Sequence, residues 1–380
     1  WLSNLKLRAS WGLSGNAAIN PYMTLATISA IVPNSTNKAP MTMANPELTW
    51  EKTSAFDLGL DFSFLNGRIN GGIDYYISKT YDLLYYMTAP ASSVYTSTLG
   101  NVGETKGRGL EVSINGVPVQ TEDFKWDVNA SLTMSKDEVS KLRDGVDQVV
   151  DGNDILKVGE SISAFSQYEI QNCWGIGEFD QYVADFKANT GLDFQKPYTE
   201  YGTPGTLRVV DQDQNGIIND DDKIVFNRTP KANLGMIYTF TYKTLSLSVQ
   251  MMARLGGYMN YGGYNLYTYD NANWGELSYW TPQNTNTIIP SPGASSAAGA
   301  TYKNAVCMVK ADYFKIKDIT LSYLLPKSVL KNAMIQNAKF YFSLKNFITT
   351  GEISGYDSER GGAVTFPLAK QVVVGVNVTF

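Results

Sequence analysis

Alternation of apolar and polar residues runs through this chain from end to end, and it restricts the fold more than any other feature. Successive side chains of a strand point to opposite faces, so a period of two defines a two-faced sheet. Between Phe124 and Ser135, the residues Phe124, Trp126, Val128, Ala130, Leu132 and Met134 share one face. Lys125, Asp127, Asn129, Ser131, Thr133 and Ser135 share the other. Leu5, Leu7, Ala9, Trp11 and Leu13 alternate with Lys6, Arg8, Ser10, Gly12 and Ser14, and Phe56, Leu58, Leu60, Phe62 and Phe64 alternate with Asp57, Gly59, Asp61 and Ser63. The same pattern marks residues 68–78, 108–117, 231–242, 244–253, 312–324, 338–348 and 371–380. This predicts about ten strands, each near the length that a tilted membrane strand requires.

The connections alternate as well. Short links fall at Leu65-Asn66-Gly67-Arg68, where Asn-Gly suits a tight hairpin, at Pro118 to Asp123, and at Tyr242-Lys243-Thr244. Long links run over residues 15–53, 79–107, 136–230, 254–311 and 349–370. Outer-membrane barrels pair short periplasmic turns with long extracellular loops, and this assignment keeps every strand direction consistent. The link from Pro326 to Asn337 is a longer periplasmic turn with room for one helical turn. Val372, Val374, Val376 and Val378 alternate up to Phe380, an ending that resembles the C-terminal signal of barrels inserted into outer membranes. The expected fold is all-β, an antiparallel transmembrane β-barrel portion with long extracellular loops. A secreted β-sandwich serving as a carbohydrate-binding or adhesion module shares the alternation; the loop rhythm and Phe380 argue against it.

Composition removes other function classes. The chain has no histidine, which excludes Ser-His-Asp and Cys-His nucleophile systems and His-ligated metals. A formal charge of −5 without any Lys/Arg-rich run offers nucleic acid no footing. No stretch approaches the roughly 18 to 20 apolar residues of a membrane helix. Cys173 and Cys307 form no CxxC motif and are expected to be lone thiols in the core or loops. Acidic pairs such as Asp180 with Asp185 carry no spacing that would position a glycosidase site, and no enzyme activity is expected.

Several blocks resemble the SusC/RagA family of TonB-linked outer-membrane proteins. They are Leu5-Lys6-Leu7-Arg8-Ala9-Ser10-Trp11-Gly12-Leu13-Ser14-Gly15-Asn16, Asn45-Pro46-Glu47-Leu48-Thr49-Trp50-Glu51-Lys52-Thr53 running into Gly59-Leu60-Asp61-Phe62, and Asn101-Val102-Gly103-Glu104 leading into Gly107-Arg108-Gly109-Leu110-Glu111-Val112. The run from Asp312 to Pro326, Leu344-Lys345-Asn346-Phe347 and Ser354-Gly355-Tyr356-Asp357 complete the pattern. The resemblance implies that residues 1–380 form the C-terminal part of a barrel of about 22 strands, with the signal peptide, N-terminal domain and plug outside this sequence. It further implies TonB-dependent import of an oligosaccharide or a peptide across the bacterial outer membrane, energy relayed by TonB through the plug, contact with outer-membrane lipid, and a SusD-like surface lipoprotein over the loops.

Two constellations remain as candidate sites. Asp211-Gln212-Asp213-Gln214-Asn215-Gly216-Ile217-Ile218-Asn219-Asp220-Asp221-Asp222 follows the spacing of a calcium loop. Asp211, Asp213 and Asn215 stand at positions 1, 3 and 5, Gly216 allows the sharp turn, the Ile217 carbonyl takes position 7, and Asp222 replaces the usual closing Glu. A solvated acidic turn has a similar composition, and the spacing together with Gly216 favours Ca2+. Tyr258, Tyr261, Tyr264, Trp274 and Trp280 punctuate a Gly- and Asn-rich loop, where aromatic faces suit a sugar or peptide. The same residue types also pack loops and form membrane girdles.

Overall fold

The computed structural model describes residues 1–16, 19, 22, 24–28, 40–89, 92–93, 95, 97–143, 145–267, 277–292, 298–330, 335–353, 357–363, 366 and 368–380. Ten strands form one antiparallel sheet in which each strand neighbours the next in sequence. They are β1 Leu2–Asn16, β2 Glu51–Phe64, β3 Ile69–Tyr81, β4 Gly103–Gln120, β5 Phe124–Leu142, β6 Ala232–Tyr242, β7 Leu245–Leu255, β8 Tyr313–Leu324, β9 Asn337–Gly351 and β10 Gln371–Thr379. Strands β1 and β10 lie at the two edges.

Cross-strand register joins the alternations into faces. One row runs Leu2, Phe64, Ile69, Gly116, Val128, Tyr238, Val249, Ile319, Leu344 and Val372, crossing all ten strands without a charged residue. This face stays open to its surroundings even on the inner strands, where Leu58 is 41% exposed, Leu321 43% and Phe342 43%. So large an uncovered apolar surface is stable only against lipid. The adjacent row, on the opposite face, runs Asn4, Ser63, Asn70, Asn115, Asn129, Ile237, Gln250, Asp318, Lys345 and Gln371. A single sheet therefore separates a lipid face from a polar lumen face.

The turns agree with the expected short links. In the β2–β3 hairpin Leu65, Asn66 and Gly67 all have positive φ, at 54°, 57° and 86°. Between β8 and β9, Lys327–Leu330 forms the helical turn expected there. The strands outrun their predicted ends on the loop side, where β4 reaches 18 residues and β5 19. Beyond Ser135 the binary code stops, yet pairing continues because Val139 and Leu142 are buried against Leu156 of the loop above.

The two longest loops fold together into a body with its own core. Residues 143–231, between β5 and β6, contribute a four-stranded sheet of Gln148–Asp151, Asp154–Lys157, Ala164–Tyr168 and Lys223–Asn227. They also contribute a helix, α1 Glu178–Thr190. Phe179, Tyr182, Val183 and Phe186 of α1 fall at helical spacing and face one cluster with Trp174, Phe194, Tyr201 and Leu207. The loop between β7 and β8 adds Trp280, Ile289, Tyr302 and Val306 to that cluster. Trp174 is 0% exposed at its centre, with Arg208 stacked 4.7 Å over its ring.

Cys173 and Cys307 are both buried and unpaired, as the sequence led us to expect. Burial pushes each thiol up to about 12, so almost no thiolate exists at neutral pH. Maleimide labelling of both is expected to be at least about 100-fold slower in the native protein than after unfolding. Fast native labelling would show that the loop body opens readily.

Candidate functional site

The acidic loop lies on this body. It begins just after the short strand Leu207–Val209 and ends in the 3-10 turn Asp220–Asp222, where Asn219 Oδ1 accepts from the Asp221 N–H at 2.7 Å. Gly216 adopts φ 81°, and a Cβ there would sit 2.8 Å from the Asp193 carbonyl oxygen. Only glycine fits this turn, which passes tightly under the end of α1. The bend brings ligand atoms of Asp211, Asp213 and Asp222 within 4.8 Å of one another.

The donor set fits a hard cation. Asp222 is 0% exposed, and its carboxylate accepts the backbone N–H groups of Gln212 and Asn219, each at 2.8 Å. Asp211 is 8% exposed; its Oδ2 accepts the Gly216 N–H at 2.9 Å, while its buried Oδ1 has no hydrogen-bond partner among the described residues. Desolvation raises the Asp211 pKa above the usual carboxylate range, opposed by the Gly216 N–H and reinforced by the charges of Asp222 and Asp213. A buried carboxylate oxygen with no donor, aimed at two other carboxylates, is what a divalent cation would satisfy. Asn215 donates its amide to Asp213 at 2.8 Å and accepts the Ile217 N–H at 2.7 Å, so both predicted neighbours belong to the same turn. Asp220 points elsewhere, held by Lys223 at 2.9 Å and by the Tyr168 hydroxyl at 3.1 Å.

Two of the candidate aromatic residues are buried in the loop body. Trp280 is 7% exposed and belongs to the loop core, while Tyr261, also 7%, packs with Met259, Ala311 and Ile353. Tyr264 bridges both clusters and meets the Tyr261 ring at 4.9 Å. Tyr258 stands edge-on to Phe226 at 4.9 Å. Tyr261 and Trp280 are buried in loop packing, Tyr258 and Tyr264 stay half-buried, and Trp274 lies outside the described residues.

The lumen wall supplies a candidate that residue types alone do not reveal. A cavity of about 560 Å³ lies against the middle strands and includes Asn115, Asn129, Ser131, Thr133, Asn233 and Gln250 in its lining. Each was visible as a polar residue of an alternating strand. Only the register shows that Asn70, Asn115 and Asn129 stand side by side.

A one-sheet wall with a lipid face, a polar lumen face, short turns at one end and folded loops at the other defines an outer-membrane β-barrel protein. Residues 1–347 match the family model described as TonB dependent receptor-like, beta-barrel, and the chain belongs to that family. TonB-dependent receptor P3 of Formosa agariphila is 30% identical over 375 residues, covering 94% of this chain and 36% of the relative. TonB-dependent receptor SusC of Bacteroides thetaiotaomicron is 27% identical over 398 residues, covering 100% of this chain and 38% of the relative. Among solved structures, that of the RagAB peptide transporter matches with a TM-score of 0.74 and 26% identity, covering 100% of this chain and 41% of that one. The SusC/RagA resemblance of the sequence motifs is thereby confirmed, and the wall belongs in the bacterial outer membrane. The chain spans between 36% and 41% of the length of these relatives.

Proposed function

We propose that the whole protein is a TonB-driven importer, with this chain supplying part of its barrel wall and its folded extracellular loops, and that its cargo is an oligosaccharide. The observation carrying the substrate class is the run Asn70, Asn115 and Asn129 on the lumen face, with Gln250 one strand beyond Ile237 in the same row. Amides both donate and accept, so a file of them exchanges hydrogen bonds with hydroxyl groups without holding any one tightly. A peptide backbone has the same needs, and RagAB is described as a peptide transporter; peptide import is therefore the second reading. A SusD-type surface lipoprotein over the loops and TonB acting through a plug follow from the family resemblance. The test is uptake by cells carrying the intact receptor with Asn115→Ala, Asn129→Ala and Gln250→Ala combined. Oligosaccharide uptake falling at least about tenfold with normal barrel assembly supports the reading, since it corresponds to the loss of one or two hydrogen bonds. Unchanged oligosaccharide uptake with impaired peptide uptake would overturn it in favour of the peptide.

The acidic loop completes the proposal. Asp211, Asp213, Asn215, the Ile217 carbonyl and Asp222 would hold Ca2+, whose charge would staple the loop body and take no part in bond chemistry. The pH dependence has a defined sign. Asp211 keeps its proton above the usual carboxylate range when folded, so the calcium-free loop body loses stability as pH rises from the ordinary Asp value through the raised one. Calcium at 100 times its Kd is expected to restore about 2.7 kcal/mol at neutral pH. Asp211→Asn is expected to abolish that gain while leaving the calcium-free protein as stable or more so, measured by hydrogen exchange over residues 143–231. Equal calcium response in wild type and variant would contradict the assignment.

A further inference from the structure

The lipid face changes character at its loop end. Over β4 and β5, Leu110 and Met134, in the rung of Tyr75, are the last apolar residues of this face, while Ile77 continues it on β3 beside Arg108. The next outward rung sets Arg108 directly opposite Lys136, and the one after sets Lys106 directly opposite Lys79. Opposed side chains on a sheet lie about 4.5 to 5.5 Å apart at Cβ, where like charges repel. Glu138 stands directly opposite Lys106 on its other side, which leaves the Arg108–Lys136 pair as the one with no carboxylate in its own rung.

The available carboxylates do not suffice. Glu104 pairs with Lys79 at 2.6 Å and Glu138 with Lys136 at 3.3 Å. Arg108, Lys106 and Lys231 make no ion pair with the described residues, and all three are exposed. An open cleft of about 600 Å³ lies here, with Tyr75, Leu110 and Met134 as an apolar floor and Arg108, Lys136 and Lys231 around it. Asp137 also borders the cleft, but its carboxylate is engaged by the Ser161 hydroxyl at 2.6 Å, the Ile162 N–H at 2.8 Å and the Thr229 hydroxyl at 3.1 Å.

We infer that this cleft binds the phosphorylated headgroup of an outer-leaflet lipid. The phosphate lies between Arg108, Lys136 and Lys231, and the first carbons of an acyl chain lie on Tyr75, Leu110 and Met134. Guanidinium and ammonium groups together suit a phosphate. The apolar floor selects an amphiphile over a free anion, and the position at the boundary between belt and loops is where headgroups sit. The inference rests on the outward face meeting lipid and not on the cargo.

The experiment uses the intact receptor in phosphatidylcholine nanodiscs doped with equal amounts of a bis-phosphorylated lipid A and its dephosphorylated form, with retained lipid counted by native mass spectrometry. At least fivefold preferential retention of the phosphorylated form is expected. In the combined variant Arg108→Gln, Lys136→Gln, Lys231→Gln the preference should fall below twofold with heat-modifiable mobility intact, while Arg108→Lys alone keeps it. Equal retention of the two lipids by the wild type, or preference surviving in the combined variant, would overturn the inference. Displacement of the lipid by millimolar inorganic phosphate would also overturn it, by exposing a plain anion site. Failure here leaves the import reading untouched, because that reading is measured by uptake.

Discussion

Replacing Trp174 with alanine is expected to unfold the loop body while the ten strands stay paired. The indole is wholly buried and meets Phe179 at 5.1 Å, Tyr182 at 5.3 Å and Tyr201 at 5.8 Å, each edge to face, with Arg208 over its ring. Truncating a core tryptophan costs about 3 to 5 kcal/mol, including the cavity left behind. That is a large share of what a body of this size has in reserve. The strands draw their stability from ladder pairing and lipid, which the substitution does not touch. Hydrogen exchange should therefore show lost protection across residues 143–231 and unchanged protection in β1 to β10. Uniform loss over both would mean that wall and loops unfold as one unit.

Lys315→Ala is expected to have an effect of similar size at the other side of the sheet. Lys315, on β8, is 1% exposed on its side chain and holds Asp357 at 2.8 Å and Glu359 at 3.0 Å, while Lys317 holds Glu359 at 2.6 Å. These bonds fasten the turn Ser358–Arg360, from the loop between β9 and β10, against the wall. Breaking a buried ion pair by removing one partner costs about 3 to 5 kcal/mol, because the remaining charges stay desolvated. Early protease cleavage within residues 352–370 is the expected readout. Lys315→Met combined with Asp357→Leu and Glu359→Gln should recover much of the loss, since a buried pair contributes little over a packed apolar substitute. Cleavage as slow as in wild type after Lys315→Ala would show that the loop is held elsewhere.

Strand faces were legible in the sequence because lipid on one side and water on the other impose a strict binary code on every strand. Where that contrast ended, so did legibility. Residues 136–142 continue β5 beside the folded loop, and the burial of Val139 and Leu142 follows from contacts with Leu156 and Tyr85 that no local pattern encodes. The loop core was hidden for a related reason: apart from the helical spacing of α1, its members are scattered from Tyr168 to Val306 and meet only through tertiary packing. Tyr261 and Trp280 were read as ligand contacts because ligand binding and core packing use the same rings, and only burial separates the two uses. The turn of the acidic loop was legible, since Asp211, Asp213, Gly216 and Asp222 fall within one short segment and fold back together. The amide row was half legible: each rung belonged to a visible polar face, but neighbours across strands are set by register.

The claim on which the rest depends is that the row from Leu2 to Val372 faces lipid. Its most direct test is the gel mobility of the purified intact protein, unheated and boiled, with and without membrane-mimetic micelles. The account predicts a compact species that migrates differently on heating and that forms only in the presence of micelles. A protein that stays folded and monomeric in plain buffer would contradict it, and would return the apolar face to the dry interior of a sandwich.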